Sequence, residues 1–395
     1  MKKILLVNKS FELGGIQSSM VNMANELSKY YEVYLFLYNP EGVMKERLSE
    51  NVRVLETSWR FRCLGMSIKD VLRTKKIKMI IFRVFATVWA KLFNNELPIS
   101  KAMKHHGELG EYDLAIAYHQ EQRKKSVVSG FTRVVDRLVK AKTKAAWLHF
   151  DNSTIDLDSE YNNPFYAKMD KIVCVSKSLM ENFAAMYPDL GSKMDYCYNF
   201  MLYDVIKEKS LAPQEIPYPE DKFICFSACR LTEEKALVRG IDSVSSILKA
   251  HPEVVWYIAG DGSERSDIED VIKKRGLEAQ IKLIGNQPNP YPYMKNAKLT
   301  MNVSYHEAAP MIFFESKSLG TPVFATRTLS AEELLSDRID SFICDNSADG
   351  IRDLFNFVIE NKELVEDAAL RLKSSNASND ASISKIKDLT DNSTF

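Results

Sequence analysis

The order of apolar segments along the chain restricts the fold more than any other feature of the sequence. Segments of strand length alternate with segments in which apolar residues recur at helical spacing, as in KILLVN (3–8) followed by GGIQSSMVNMANELSKY (14–30). The alternation stops in a polar, proline-bearing stretch near 204–221 and then resumes. We predict strands at 3–8, 31–38, 112–118, 144–150 and 171–176, and again at 222–230, 254–262, 281–286, 298–305, 321–326 and 341–345. Strand–helix alternation produces parallel sheets, so the sequence predicts two doubly wound, Rossmann-like α/β domains.

The chain length agrees with two domains, because 395 residues are too many for one ordinary hydrophobic core. We place the first domain at residues 1–203 and the second at 204–375. The remaining residues, 376–395, form a polar tail or a short docking helix. In doubly wound sheets, ligands bind beyond the carboxyl ends of the strands, so polar residues at those ends are the candidate site.

The charges of the chain balance overall but not locally. There are 53 Lys and Arg against 53 Asp and Glu. Residues 1–200 hold 30 basic and 22 acidic side chains, and residues 201–395 hold 23 and 31, which gives formal charges of +8 and −8. This polarity indicates that the first half faces an anionic partner.

Cysteine usage and hydropathy indicate a reduced, cytoplasmic protein. The six cysteines lack the spacing of a disulfide framework or a zinc site. The apolar run in MKKILLVNKS is too short for a signal peptide, and no apolar run approaches the roughly 18 residues of a membrane-spanning helix.

Three features at predicted strand ends are candidates for binding an anion. Gly14 and Gly15 form either a flexible connection or a place where a phosphate approaches a helix N-terminus. Arg230 and Lys235 each suit a solvated charge, but together, just past a buried strand, they suit a diphosphate clamp. The turn AGDG (259–262) is explained by a tight turn before a helix, and ligand binding is its alternative interpretation.

The segment EAAPMIFFE places Glu307 and Glu315 eight residues apart around an apolar run. Pro310 suits a first helical turn, which puts Glu307 just before the helix and Glu315 in its second turn. The helix dipole accounts for Glu307 without a ligand. Glu315 has no cation at i+4, so its burial requires polar partners, and the hydroxyl groups of a sugar would supply them.

The combination of GGIQ, R-x4-K, AGDG and EAAPMIFFE resembles the retaining GT-B glycosyltransferases with the E-x7-E motif, which are glycosyltransferase family 4-like. The resemblance covers nearly the whole chain, and the segment from Ile284 to Pro310 is similar to bacterial enzymes of capsular and other surface polysaccharides. It implies a GT-B fold, in which two Rossmann-like domains face a central cleft. It also implies catalysis without a metal or another cofactor, with a nucleotide sugar as donor.

The resemblance assigns roles to individual residues. Arg230 and Lys235 would hold the donor diphosphate, and Glu315 would accept hydrogen bonds from the ribose. Glu307 would hold the sugar hydroxyls, and His149 would close on the donor sugar, although a histidine at a strand end is otherwise more often structural. The implied catalytic residues are Glu307, Lys235, Arg230 and His149, and the implied donor-binding residues are Gly14, Gly15, Gly260, Gly285, Asn286, Ala308, Ala309, Met311 and Glu315. This family commonly has glycine where this chain has Ala236 and Ala308, which leaves the donor sugar and the activity open.

Residues 59–106 are strongly basic, with eleven Lys and Arg against Asp70 and Glu96. Within them, residues 77–93 predict a helix with a broad apolar face made of Ile77, Ile80, Ile81, Val84, Phe85, Val88, Leu92 and Phe93. This helix is either a core helix with solvated lysines or an interfacial helix on an anionic membrane. Nucleic acid is the competing anion, but no nucleic-acid motif accompanies the basic residues, so we favour a membrane surface that carries a lipid-linked acceptor.

The sequence therefore predicts a retaining enzyme, peripheral on the inner face of the cell membrane. It would move a hexose from a nucleotide sugar, with UDP as the expected nucleotide, to a lipid-linked oligosaccharide of a bacterial surface polysaccharide. The alternatives are a non-catalytic nucleotide-binding partner in a synthase complex and a GT-B sugar-nucleotide epimerase.

Overall fold

The computed structural model describes residues 1–150 and 158–391. The chain divides into two compact units. The N-terminal unit contains Met1–Phe200 and the segment that begins at Asn379, and the C-terminal unit contains Met201–Ser378. The predicted pair of doubly wound, Rossmann-like α/β domains is confirmed, since each unit is built on one parallel sheet.

The N-terminal unit has a seven-stranded parallel sheet in the order β3-β2-β1-β4-β5-β6-β7. Its strands are β1 (Lys3–Ser10), β2 (Glu32–Asn39), β3 (Val52–Val54), β4 (Gly110–Ala117), β5 (Val139–Leu148), β6 (Lys171–Cys174) and β7 (Met194–Tyr196). The helices between them are α1 (Gly15–Leu27), α2 (Trp59–Gly65), α3 (Ile68–Arg73), α4 (Ile77–Leu92), α5 (Glu96–His106), α6 (Phe131–Leu138), α7 (Ser159–Tyr166) and α8 (Lys177–Met186), with 3-10 turns at Val43–Arg47 and Pro188–Lys193.

The C-terminal unit has a six-stranded parallel sheet in the order β10-β9-β8-β11-β12-β13. Its strands are β8 (Phe223–Ala228), β9 (Val254–Ala259), β10 (Ile281–Gly285), β11 (Leu299–Asn302), β12 (Val323–Thr326) and β13 (Ser341–Cys344). Its helices are α9 (Tyr203–Lys209), α10 (Leu237–Ala250), α11 (Arg265–Arg275), α12 (Tyr291–Asn296), α13 (Met311–Ser318), α14 (Ala331–Leu334), α15 (Ala348–Glu360) and α16 (Lys362–Lys373), with a 3-10 turn at Glu233–Lys235.

The central strands of the C-terminal unit are almost continuously apolar because helices cover both faces of the sheet. FICFSA in β8 and VVWYIA in β9 are buried along nearly their whole length. Trp256 belongs to the core on one face and Tyr293 to the core on the other. On the Trp256 face the backbone of α10 comes so close that a Cβ added at Gly240 would meet Val303 Cγ2 at 2.7 Å.

The last described helix, α17 (Asp380–Asp391), belongs to the N-terminal unit, so the chain returns there after completing the other unit. Ile386 and Leu389 of α17 are buried, and Lys385 Nζ lies 2.6 Å from an Asp195 carboxylate oxygen. The polar tail predicted at 376–395 thus contains a docked helix, and residues 392–395 lie outside the described residues.

In both sheets the strand order reverses between two adjacent strands. The order reverses between β1 and β4 in the N-terminal unit and between β8 and β11 in the C-terminal unit. Loops that leave such a pair diverge to opposite faces, which opens a crevice at the carboxyl ends of the two strands. Residues that follow β1, β4, β8 and β11 are therefore the ones that the fold places for ligand binding.

Candidate functional site

Lys235 and Glu307 meet at the switch point of the C-terminal sheet. Lys235 follows β8 and Glu307 follows β11, and these strands are neighbours. Lys235 Nζ lies 2.7 Å from Glu307 Oε1, and both side chains are largely buried. Asn302 Nδ2 and Ser304 Oγ donate to the same oxygen at 3.3 and 2.9 Å. The carboxylate is therefore held in one orientation by three donors.

The local charge keeps Lys235 protonated. Burial alone would lower the pKa of Lys235, but the attraction of the Glu307 carboxylate and the hydrogen bond to it outweigh burial, so the pKa lies above its ordinary value. Lys235 ends the 3-10 turn, and Ala236 then takes the left-handed conformation, with φ 51° and ψ 32°, before α10 begins. The site thus presents a fixed cation beside a fixed anion.

The second glutamate lies in α13, as predicted, but with a protein partner of its own. Glu315 is half-buried in the second turn, and the Tyr291 hydroxyl donates to its Oε1 at 3.2 Å. Pro310 is the N-cap residue of α13, one position before the first helical turn in which we predicted it. The half-buried residues Ala308 and Ala309 precede it, and Met311 begins the helix.

Arg230 lies at the surface and is not part of the Lys235–Glu307 pair. Its guanidinium lies 3.0 Å from Glu234 Oε1, and about two-thirds of its side chain is exposed. A pair of this kind contributes little to stability. Arg230 therefore remains mobile enough to turn toward an anion placed next to it.

The glycines after β9 and at the end of β10 allow close backbone packing and a left-handed backbone conformation. A Cβ at Gly260 would come within 1.9 Å of the Cys229 carbonyl oxygen, so the chain itself requires glycine in AGDG. Gly285 ends β10 with φ 70°, its carbonyl accepts from the Gly260 N–H at 2.8 Å, and Asn286 is exposed beside it. Backbone packing thus explains Gly260 without a ligand.

Gly14 and Gly15 form the start of α1 in the N-terminal unit. Gly14 is the N-cap in an extended conformation, and Gly15 is the first helical residue. Nothing lies within 4 Å of a Cβ built at Gly15, and the first turn carries no acidic residue. The exposed N–H groups of this turn suit an anion.

His149 follows β5 in the N-terminal unit, beside the residues that follow β4. It is buried, its ring centroid lies 4.7 Å from that of Tyr118, and its Nε2 has no hydrogen-bond partner among the described residues. Burial, aided by the nearby His119, lowers the pKa of His149 to about 3. The imidazole is therefore neutral near pH 7 and can hydrogen-bond through Nε2 without carrying charge.

Four polar residues complete these arrangements, and the sequence pattern did not identify them. Asn302 and Ser304 orient Glu307, Tyr291 contacts Glu315, and Gln120 holds the backbone of His149. Gln120 Oε1 accepts from the His149 N–H at 3.1 Å. Asn302 ends β11 and Ser304 follows two residues later, so the polar residues shortly before Glu307 were the available signal.

Within the described ranges, no group of three or more His, Cys, Asp or Glu side chains is arranged to hold a metal ion. Among the same residues, no helix combines the length and apolar composition needed to cross a bilayer.

Residues 208–373 match the family described as "Glycosyl transferases group 1". This segment is similar to group 1 glycosyl transferases. The matched segment contains the Lys235–Glu307 pair, Arg230 and Glu315.

Two curated relatives are named as glycosyltransferases or glycosaminyltransferases. The lipopolysaccharide core biosynthesis glycosyltransferase LpsE of Rhizobium meliloti is 23% identical over 209 residues, which cover 53% of this chain and 58% of LpsE. An N-acetylgalactosamine-N,N'-diacetylbacillosaminyl-diphospho-undecaprenol 4-alpha-N-acetylgalactosaminyltransferase of Campylobacter jejuni is 28% identical over 210 residues, with coverages of 52% and 53%. The chain spans about half the length of the curated relatives it matches.

Solved structures resemble both units of the chain. The crystal structure of Anabaena HepE in complex with UDP-glucose aligns with a TM-score of 0.68 and 15% identity, and the alignment covers 99% of this chain and all of that one. At this identity the similarity shows the fold, and the two Rossmann-like domains are those of GT-B proteins.

Proposed function

We propose that the protein transfers a hexose from UDP-hexose to a lipid-linked oligosaccharide in the synthesis of a bacterial surface polysaccharide, with retention of the anomeric configuration. One observation carries the proposal: Lys235 and Glu307 form a buried ion pair at the switch point of the sheet in the segment that matches group 1 glycosyl transferases. A cation and an oriented carboxylate side by side suit a ligand in which a diphosphate is joined to a sugar rich in hydroxyl groups.

The diphosphate would lie against Lys235 and Arg230. Cleavage of the bond between the anomeric carbon and the phosphate oxygen leaves negative charge on the departing UDP, and fixed cations stabilise that charge. Lys235 enters the reaction protonated because its pKa is raised. Arg230 would exchange its surface partner Glu234 for the phosphate, for which the guanidinium offers two parallel donors.

Two carboxylates would orient the rest of the donor. Glu307 keeps one oxygen engaged by Asn302, Ser304 and Lys235, so its other oxygen remains available to a sugar hydroxyl. Glu315, in the second turn of α13, would accept from the ribose. In the N-terminal unit, the neutral Nε2 of His149 would bind a sugar hydroxyl, and the start of α1 at Gly15 would bind phosphate.

The finer parts of the proposal rest on the relatives. HepE is solved with UDP-glucose, which supports UDP as the nucleotide. The name of the Campylobacter jejuni relative places its acceptor on diphospho-undecaprenol, which supports a lipid-linked acceptor and action at the inner face of the membrane. We further propose that no metal takes part, because Lys235, Arg230 and the helix N-termini can balance the diphosphate charge.

The first experiment is a thermal-shift comparison of UDP, GDP, ADP and CMP with EDTA present. A ligand at a hundred times its dissociation constant adds about 2.7 kcal/mol to the free energy of unfolding. We expect UDP alone to raise the melting temperature under these conditions. A shift of the melting temperature that appears only after Mg²⁺ is added would refute metal independence. If none of the four nucleotides shifts the melting temperature, the donor site is refuted.

The second experiment measures transfer from radiolabelled UDP-hexose to extracted lipid-linked acceptor. We expect Glu307→Gln to reduce the rate on the order of a hundredfold or more, since the carboxylate is the oriented group of the site. The matched control is Glu233→Gln, which changes an exposed glutamate in the 3-10 turn before Lys235. Equal rates in wild type and Glu307→Gln would contradict the proposal, and a new sugar nucleotide formed without acceptor would indicate an epimerase.

A further inference from the structure

Helix α4 carries an apolar stripe on the side that faces away from the protein. The residues of this stripe, which we call the α4 stripe, are Ile77, Ile81, Val84, Val88 and Leu92. Their spacing places all five on one side of a helix. Each of them is between 51% and 73% exposed. Such a stripe normally faces a core, so its exposure indicates a surface that something covers.

The opposite side of α4 is already occupied, so the helix cannot rotate to bury the stripe. Met79, Phe82, Ala86 and Ala90 are buried on that side. Arg83 is buried with them and donates to the carbonyl oxygens of Cys63 and Leu64 at 3.0 and 3.2 Å. This arrangement divides the broad apolar face that the sequence predicts. Ile80 and Phe85 lie half-buried at its margins, and the α4 stripe remains outside.

The neighbouring helix α3 extends the exposed apolar surface. Ile68 and Leu72, one turn apart on α3, are each about half exposed. Helices α3 and α4 are in contact. The two helices together present seven aliphatic side chains to the outside of the N-terminal unit.

Exposed cations lie on α3 and α4, between these helices, and on α5, which contacts α4. The exposed ones are Lys69, Arg73, Lys75, Lys76, Lys78, Lys91, Lys101 and Lys104. The two acidic side chains of residues 59–106 are engaged elsewhere, since Asp70 pairs with Arg73 and Glu96 pairs with Arg133 and Arg137. The apolar surface is therefore bordered by positive charge that local carboxylates leave largely uncompensated.

Three of these lysines lie where positive charge does not favour helix formation. Lys75, Lys76 and Lys78 lie at the N-terminal end of α4, whose first turn contains no acidic residue. Positive charge at that end is disfavoured by the helix dipole. Lys78 lies over the Trp59 ring, 5.4 Å from its centroid, whereas Lys75 and Lys76 weaken the isolated helix, which a binding role explains.

We propose that α3 and α4 lie flat on an anionic lipid bilayer, with the α4 stripe in contact with the acyl chains and the surrounding lysines against the headgroups. Helix α4 has 16 residues, about 24 Å, and its inner side is packed on protein, so it lies in the interface and does not span. An anionic leaflet attracts nearby lysines, each by roughly fivefold in binding.

Two other occupants fit the surface less well. A second copy of the chain would bring two like-charged surfaces together, which repel each other. Nucleic acid would satisfy the lysines but offers no place for five aliphatic side chains in a row. A bilayer meets both requirements at once.

This inference concerns the acceptor side of the proposed function, because a lipid-linked acceptor is presented at a membrane surface. Only this link between lipid binding and the acceptor rests on the proposed function. Binding to lipid depends on α3 and α4 of the N-terminal unit, and donor binding depends mainly on the C-terminal unit. Failure of one therefore does not imply failure of the other.

The test is flotation of the full chain with vesicles of phosphatidylcholine alone or mixed with phosphatidylglycerol, at low and high salt. The first variant, Ile81→Ser with Val84→Ser and Val88→Ser, removes the centre of the α4 stripe. The second, Lys75→Glu with Lys76→Glu and Lys78→Glu, reverses three charges. Their matched controls are Leu370→Ser, an exposed leucine on α16, and Lys273→Glu with Lys274→Glu and Lys295→Glu, three exposed lysines of the C-terminal unit.

We expect the wild type and both controls to float with anionic vesicles, with weaker binding at high salt. Both test variants should lose at least about tenfold in partitioning while keeping the wild-type melting temperature and the UDP-induced thermal shift. Absence of wild-type flotation would overturn the proposal. So would a dimer in solution that the serine variant dissociates without any lipid binding, or salt-sensitive binding to DNA in place of vesicles.

Discussion

Ala236 sits between the lysine of the site and the first turn of α10 in a conformation that alanine rarely adopts. Its φ of 51° lies in the left-handed region, where Cβ crowds the following carbonyl at a cost of roughly 1–2 kcal/mol. Glycine avoids that cost but loses more conformational entropy on folding. The strained backbone directs Lys235 toward Glu307, so the strain is located at the site.

We predict that Ala236→Gly raises the free energy of unfolding by about 0.5–1 kcal/mol, because relief of strain exceeds the added entropy cost. Denaturant unfolding measures the change. The matched control is Ala369→Gly in the right-handed helix α16, which should lose about 1 kcal/mol. Equal losses in both variants would show that Ala236 carries no strain.

The two buried histidines of the N-terminal unit should make stability depend on pH. Burial lowers the pKa of His149 to about 3 and that of His119 to about 4, against 6.5 for an ordinary histidine. The unfolded chain therefore binds more protons than the folded one below pH 6.5. The contribution of each histidine to stability is complete above pH 6.5 and is lost as pH falls toward its folded pKa.

We predict that each histidine costs about 1.4 kcal/mol of stability when the pH falls from neutral to 5.5. Denaturant unfolding at both pH values measures this cost. His149→Gln and His119→Gln should each remove about half of their joint pH dependence, because glutamine does not titrate there. A variant with the same pH dependence as the wild type would contradict the burial of that histidine in its neutral form.

At the level of elements, a side chain joins β4 and β5 beyond the point where their hydrogen-bond ladder ends. Gln120 Oε1 accepts from the backbone N–H groups of His149 and Phe150, each at 3.1 Å. Gln120 Nε2 donates to the Phe150 carbonyl, also at 3.1 Å. One buried amide thus holds the backbone of the two residues that follow β5 and fixes the position of His149.

We predict that Gln120→Ala slows transfer by about tenfold or more while leaving UDP binding intact, because His149 loses its backbone support. The variant should also lose about 1–3 kcal/mol of stability, since buried N–H groups lose their acceptor. The ratio of kcat to the UDP-induced thermal shift separates positioning from general damage. Reduced UDP binding in parallel with reduced transfer would refute the positioning role.

At the level of the whole molecule, the two units differ in what stabilises them. The N-terminal unit includes α17, with Ile386 fully buried and Ile383 half-buried on the same helix. The C-terminal unit contains Lys235, Glu307 and Glu315, which we propose as the main contacts of UDP-hexose. A change in α17 and the addition of UDP should therefore act on different units.

We predict that Ile386→Ala lowers the free energy of unfolding of the N-terminal unit by about 2–5 kcal/mol through loss of buried volume. Ile383→Ala is the control and should have a smaller effect. In scanning calorimetry, Ile386→Ala should move one part of the transition and UDP the other. Displacement of a single transition by both would show that the units unfold as one.

The alternating pattern of the sequence was enough to predict eleven of the strands, because each contains an apolar run. It missed β3 and β7, which are three-residue edge strands with little apolar signal, in which Val52 alone is buried. Lys235 and Glu307 were identifiable from their positions after β8 and β11. Their direct pairing depends on the adjacency of β8 and β11, which local sequence does not encode.

Other features of the candidate site depend on distant contacts. Gln120 resembles any polar residue after a strand until β5 is placed beside β4. Similarly, the periodicity of α4 predicts an apolar helix but does not tell which side packs inward. Arg83, an apparent surface cation in the sequence, is buried against α2 and decides that orientation.

The path of the chain also determines the order in which the protein is completed on the ribosome. Residues 201–378 form a contiguous unit, whereas α17, which belongs to the N-terminal unit, is synthesised after all of them. Until then, the apolar surface that receives Ile386 and Leu389 is uncovered. Each nascent chain therefore passes through a stage in which every strand has been made but the N-terminal unit still lacks α17, and at that stage a chaperone that recognises apolar surface would engage it.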